Sequence, residues 1–176
     1  MSKKNILEQL SPSDAFAVLK QLAKEDKSIR VKIEQLAKEY LSEIDLDSIA
    51  EEVYSELDSL YVEDLWDSSG STSNGYIEPH ERAFEMVEET IEPFIDEMKK
   101  YRILSMFQEE KICCMGILKG LYRFEKEATS EFSDWATDAP GESFSYALSE
   151  WKENKQNAED LKEMEEFVKE NFEKWA

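Results

Sequence analysis

The apolar residues of this chain recur every three or four positions almost from end to end, and that period admits helices and little else. Between residues 29 and 44, Ile29, Ile33, Leu36, Ala37, Tyr40, Leu41 and Ile44 fall on one face of a 3.6-residue helix. No stretch alternates Val, Ile or Thr at the strand period of two. Only 5 glycines and 4 prolines interrupt the 176 residues, and Glu, Lys, Leu and Ala, all strong helix formers, fill much of the rest. The expected fold class is all-α.

Local signals place the helices. Ser11 is an N-cap, Pro12 takes the first helical position and Asp14 closes a capping box ahead of Phe16, Leu19, Leu22 and Ala23. A second helix follows Asp26 or Ser28. Asp45 caps a third, with Leu46, Ile49, Ala50, Val53, Tyr54 and Leu57 inward. A short fourth carries Leu65 and Trp66. After the loop at 67–78, Pro79 opens a long helix to about Ser105, which Pro93 is expected to kink or break because proline removes a backbone donor. Another runs from about Phe107 to Lys126. Two more finish the chain, one with Phe144, Ala147, Leu148 and Trp151, the other with Leu161, Met164, Val168, Phe172 and Trp175. Short connections between about seven or eight such rods predict stacked antiparallel helical hairpins. Their arrangement is HEAT-like, α-solenoid-like, or, since no strict repeat period is present, an irregular helical bundle. One all-helical domain over 1–176 is expected, with possible sub-halves 11–67 and 77–176 joined by the loop 67–78.

Charge is distributed unevenly. The net charge is −20, yet residues 41–97 alone hold 18 acids against one base, Arg82. Such a segment repels a nucleic-acid backbone and attracts basic protein surfaces or divalent cations. No run of 18 apolar residues is present, so no membrane span is expected, and no apolar stretch of signal-peptide length follows Lys3 and Lys4. The expectation is a cytoplasmic chain with two reduced cysteines.

Those cysteines stand in EEKICCMGILKGLYRF, residues 109–124, with Gly116 and Gly120. On a helix Cys113, Gly116 and Gly120 share a face. Glycine inside a helix costs about 1 kcal/mol against alanine, so a compensating contact is required. Close helix packing is the first reading, and a small-molecule pocket floored by the glycines is the second. Zinc needs about four ligands at characteristic spacing, whereas this chain has two adjacent cysteines and one histidine, His80. No Ser-His-Asp, Cys-His, Walker or GxSxG arrangement is assembled. No catalytic residue, cofactor or metal site is assigned.

The loop DSSGSTSNGYIE places Asp67 first and Glu78 twelfth, the outline of a calcium loop, but Thr72 occupies the sixth place where glycine is required. Around it, Tyr61, Trp66 and Tyr76 flank Asp64, Asp67 and Glu78. Tyr and Trp are favoured interface anchors, and acids beside them select a basic partner.

The succession SPSDAFAVL, LYVEDLWDSSG, NGYIEPHERAFEMVEETIEPFIDEM and GILKGLYRFEKEATSEFSDWATDAP resembles an uncharacterised family of archaeal and bacterial helical proteins. Some relatives in that family accompany a SWIM-type zinc finger. The resemblance spans residues 11 to about 145 and implies a helical fold with no defined activity. The finger's cysteine and histidine set is absent here, so neither metal nor nucleic-acid binding follows from it. The function expected is protein–protein interaction through an acidic surface that meets a basic partner. The alternative is a small-molecule or divalent-cation binding protein or enzyme, with its pocket beside the Gly116/Gly120 helix.

Overall fold

The computed structural model describes residues 6–72, 75–153, 157–173 and 175. Among them are eight α-helices, two short β-strands and two turns of 3-10 helix, so the class is all-α. No helix among these residues is long and apolar enough to cross a membrane. Contacts divide the chain into two units, residues 1–43 and 44–176, so the boundary falls between Glu43 and Ile44 and the segment 67–78 lies inside the second unit.

The first unit is a helical hairpin. A 3-10 turn over Ile6–Gln9 precedes α1 (Pro12–Glu25) and α2 (Lys27–Leu41). Ser11 caps α1 with its hydroxyl on the Asp14 amide, and the Asp14 carboxylate answers at the Ser11 amide. Asp26 then serves twice. Its amide donates to the Leu22 carbonyl at the end of α1, while its carboxylate accepts from the Ser28 amide at 2.7 Å to open α2. The Ser28 amide, then the Ser28 hydroxyl and the Ile29 amide, hold its carboxyl below the ordinary range.

In the second unit, α3 (Leu46–Asp58) is capped by the Asp45 carboxylate, 2.8 Å from the Ser48 amide. The short α4 (Val62–Ser68) seats Leu65 fully in the core. Strands β1 (Gly70–Thr72) and β2 (Gly75–Ile77) then pair antiparallel, with Ser71 opposite Tyr76. Gly70 and Gly75 hold φ of 82° and 133°, values that side chains disfavour. The polar 67–78 loop thus contains a small ladder.

Helix α5 (Pro79–Ile103) passes Pro93 without a break. Pro93 and Glu89 both lie on its exposed side, so the carbonyl that proline leaves without a donor is within reach of water. The connection to α6 (Phe107–Glu127) is closed by Ser105 at φ 57°, with the Met106 amide reaching back to the Tyr101 carbonyl at 2.9 Å. A 3-10 turn over Glu131–Asp134, α7 (Ala139–Glu153) and α8 (Ala158–Asn171) complete the unit. Helix α5 packs against α3, α4, α6 and α7, and α6 packs against α3, α5, α7 and α8 at the centre of an irregular bundle. That central position accounts for its composition: from Glu110 to Phe124 ten of its residues are buried. Phe124, Phe132, Phe144, Trp151 and Phe172 fill the surrounding core.

Three ionised groups, Glu110, Lys111 and Asp160, are taken into that core, each with partners. Glu110 is fully buried and receives the Arg102 guanidinium at 2.8 Å. Lys111 on α6 meets Asp160 at 2.6 Å and also Glu163, both on α8. Asp160 accepts in addition from Gln108 and from Asn157, the N-cap of α8. A buried charge without partners costs several kcal/mol, so this network fixes where α8 begins.

Candidate functional site

Gly116 and Gly120 face α3. A side-chain carbon built on Gly116 would lie 2.7 Å from Ile49 Cβ and 3.1 Å from the Leu46 carbonyl oxygen. At Gly120 the corresponding distances are 2.6 Å to Val53 Cβ and 2.8 Å to the Ala50 carbonyl oxygen. Spacings of four on one helix meet spacings of four on the other, so the backbones approach as only glycine allows. The face that would have floored a ligand pocket is therefore filled by Ile49 and Val53. Cys113 and Cys114 are both buried as free thiols. Burial pushes the Cys113 thiol up to about 12 and Cys114 well above its ordinary value. A protonated, enclosed thiol is a poor nucleophile and a poor metal ligand.

The residues 61–78 form a different kind of surface. Tyr61 is at the N-cap position of α4, Asp64, Trp66 and Asp67 lie on α4, Tyr76 stands in β2 and Glu78 is at the N-cap position of α5. All six are exposed, Tyr61 by 66%, Tyr76 by 63% and Trp66 by 43%. Among the described residues, no side-chain hydrogen bond or ion pair joins them to one another. Nor do three groups drawn from His, Cys, Asp and Glu converge anywhere among those residues in a way that would hold a metal ion. The β-ladder explains the failed calcium outline, since residues 70–72 and 75–77 spend their backbone groups on each other.

Trp66 has a neighbour that the sequence did not nominate. Its ring meets Trp135 edge-on at 4.7 Å, and Trp135 in turn lies 4.8 Å from the His80 imidazole. His80 Nδ1 is 2.9 Å from the Trp135 carbonyl, so that nitrogen carries the proton and donates it. A helix start and an irregular segment 55 residues later are thereby tied together. Beside this chain of rings runs an open groove of about 520 Å³, lined by Glu81, Phe84, Trp135, Asp138 and Glu142 as well as His80. Three carboxylates and no lysine or arginine line it. Aromatic faces with carboxylates at their edges suit an extended cationic side chain, which can lay its methylenes on the rings and its charge against the acids.

A base is also clamped nearby. Arg82, the single base of residues 41–97, donates to the Ser68 hydroxyl at 3.1 Å and to Glu89 at 2.9 and 3.2 Å. The Ser68 bond ties α4 to α5, and the bonds to Glu89, on α5 itself, keep the Arg82 charge engaged. The signal for Trp135 was a tryptophan between Asp134 and Asp138 in a segment without helical period, and only the folded chain puts it beside Trp66. No protein-family model, no curated protein and no solved structure is similar enough to this chain to match it.

Proposed function

We propose that the second unit is a protein-interaction module, whose exposed acidic and aromatic surface around Trp66 and the His80–Trp135 groove takes a lysine- or arginine-rich segment of a partner protein. The observation that supports this reading is the half-exposed Trp66 packed on Trp135, which itself lines a groove with three carboxylates. Tyr61, Asp64, Asp67, Tyr76 and Glu78 extend the same character along α4, β2 and the start of α5. A rigid ring backed by a second ring gives contact area at little entropic cost, and the surrounding carboxylates select positive charge. Nucleic acid is disfavoured by the same carboxylates. A cytoplasmic setting fits two cysteines held as free thiols. The filled Gly116/Gly120 face gives no support to a ligand pocket there, so the reading is of a non-enzymatic module.

Tryptophan fluorescence titration with a lysine-rich peptide tests it. Raising salt from about 0.05 M to about 0.5 M should weaken binding at least tenfold, because the charges meet at a solvated surface. Trp66→Ala should cost about 2 kcal/mol of affinity. The combined change Glu81→Gln, Asp138→Asn and Glu142→Gln should lower affinity and flatten the salt dependence. Neutralising Asp64, Asp67 and Glu78 together should do so to a lesser degree. Equal binding by wild type and all of these variants would remove the surface from consideration.

A further inference from the structure

We infer that the α1–α2 hairpin is a self-association surface, and that its occupant is the same hairpin of a second copy of this chain. No residue of α1 or α2 is buried. Both helices are nevertheless amphipathic, with Phe16, Leu19 and Leu22 along α1 and Ile29, Leu36 and Tyr40 along α2 at helical spacing. Phe16 is 59% exposed, Leu36 54% and Tyr40 77%. A stripe of the same kind on α3 is enclosed, with Ala50, Val53 and Leu57 all buried. Helices of 14 and 15 residues are marginal in water unless such a stripe is covered. Packed on each other, the two rods leave these side chains exposed, whereas two such hairpins face to face would cover them in a four-helix bundle.

Length, charge and area select a second copy as the occupant. The two helices differ by one residue in length and share Asp26 as cap, so their stripes end level. A two-fold partner then lays equal rods together without overhang. Residues 1–43 hold 8 bases and 7 acids, and residues 44–176 hold 13 and 34, a net of +1 against −21. Copies that meet through their hairpins avoid the like charge that a meeting of their two second units would bring together. A nearly neutral surface also gives a strongly charged partner little to recognise. Six side chains about half exposed present on the order of 600 Å² per copy, so a pair buries about 1,200 Å², the lower bound for a specific interface.

Light scattering on the full chain, separated by size over about 5 to about 200 µM, reads the outcome. The mass should rise from 20.5 kDa toward twice that value with a dissociation constant in the micromolar range, and added salt should not weaken it. Leu19→Lys combined with Leu36→Lys should weaken association at least tenfold. Ile103→Lys, at an 81% exposed apolar position of α5, should leave it unchanged. All four tryptophans lie beyond residue 44, so an unaltered tryptophan melting curve will show that the double variant keeps its second unit folded. A wild type that stays at 20.5 kDa throughout overturns the inference, whether its hairpin is then found covered by its own chain or by another protein. A double variant that dimerises like wild type overturns it equally.

Discussion

At the scale of single residues, absence of a side chain carries as much structure here as presence. Gly120 sits 2.6 Å, by way of the carbon it lacks, from Val53 Cβ and 2.8 Å from a backbone oxygen; Gly116 is slightly less confined. Alanine would gain about 1 kcal/mol of helix propensity at either place. The clash is with backbone and with carbons next to it, which cannot swing aside, so overpacking of about 1–3 kcal/mol wins. Gly120→Ala should therefore lower the melting temperature, and by more than Gly116→Ala does. Asp160 makes a second residue-scale prediction. Its hydrogen bond from Lys111 holds its carboxyl below the ordinary range against the opposing effect of burial. A carboxyl lowered in this way stabilises the fold fully above its unfolded value of about 4 and loses that contribution as pH falls through the folded value. Asp160→Asn should cost about 3 kcal/mol at neutral pH and show a shallower loss of stability below about pH 4. The glycine pair was readable as a bare helix face, because spacing of four is local. That its counterpart is α3, and that Lys111 finds a partner on α8, depend on contacts between distant segments and left no mark in the sequence.

At the scale of elements, local chemistry was the more legible part. Ser11, Asp26 and Asp45 announced three helix starts, since a cap bonds to amides two or three residues away and needs nothing else. Pro93 shows the limit of such reasoning. The break it could have caused did not occur: Pro93 and the carbonyl of Glu89 lie on the exposed side of a continuous α5, and the period of the sequence alone did not say which side of Pro93 faces water. The β-ladder was missed for a related reason, as three residues per strand are too few to display alternation. The turn between α5 and α6 offers a test of its own. Ser105 holds a left-handed conformation that costs a side chain about 1 kcal/mol or more, and it is exposed, so little packing is at stake. Ser105→Gly should raise stability by about 0.5–1 kcal/mol in denaturant titration, the gain being trimmed by glycine's freedom in the unfolded chain.

At the scale of the whole molecule, two surfaces of opposite character coexist in one chain. The second unit carries a net charge of −21, and the first unit, with the hairpin, carries +1. Salt separates their proposed roles: it should loosen the acidic and aromatic surface from a basic segment while leaving hairpin self-association intact or firmer. The charge imbalance was plain from sequence because it is a sum. The groove was not, because His80, Trp66 and Trp135 become neighbours only when α4, α5 and the 131–134 turn are folded together.

The two thiols at the centre of the bundle have a practical consequence. Cys113 and Cys114 are enclosed on a helix that packs against four others, so a thiol-alkylating reagent finds neither of them at the native surface. Each labelling event then marks one excursion in which α6 has come loose. The natural chain thus keeps its own clock of how often its interior opens, with no probe added.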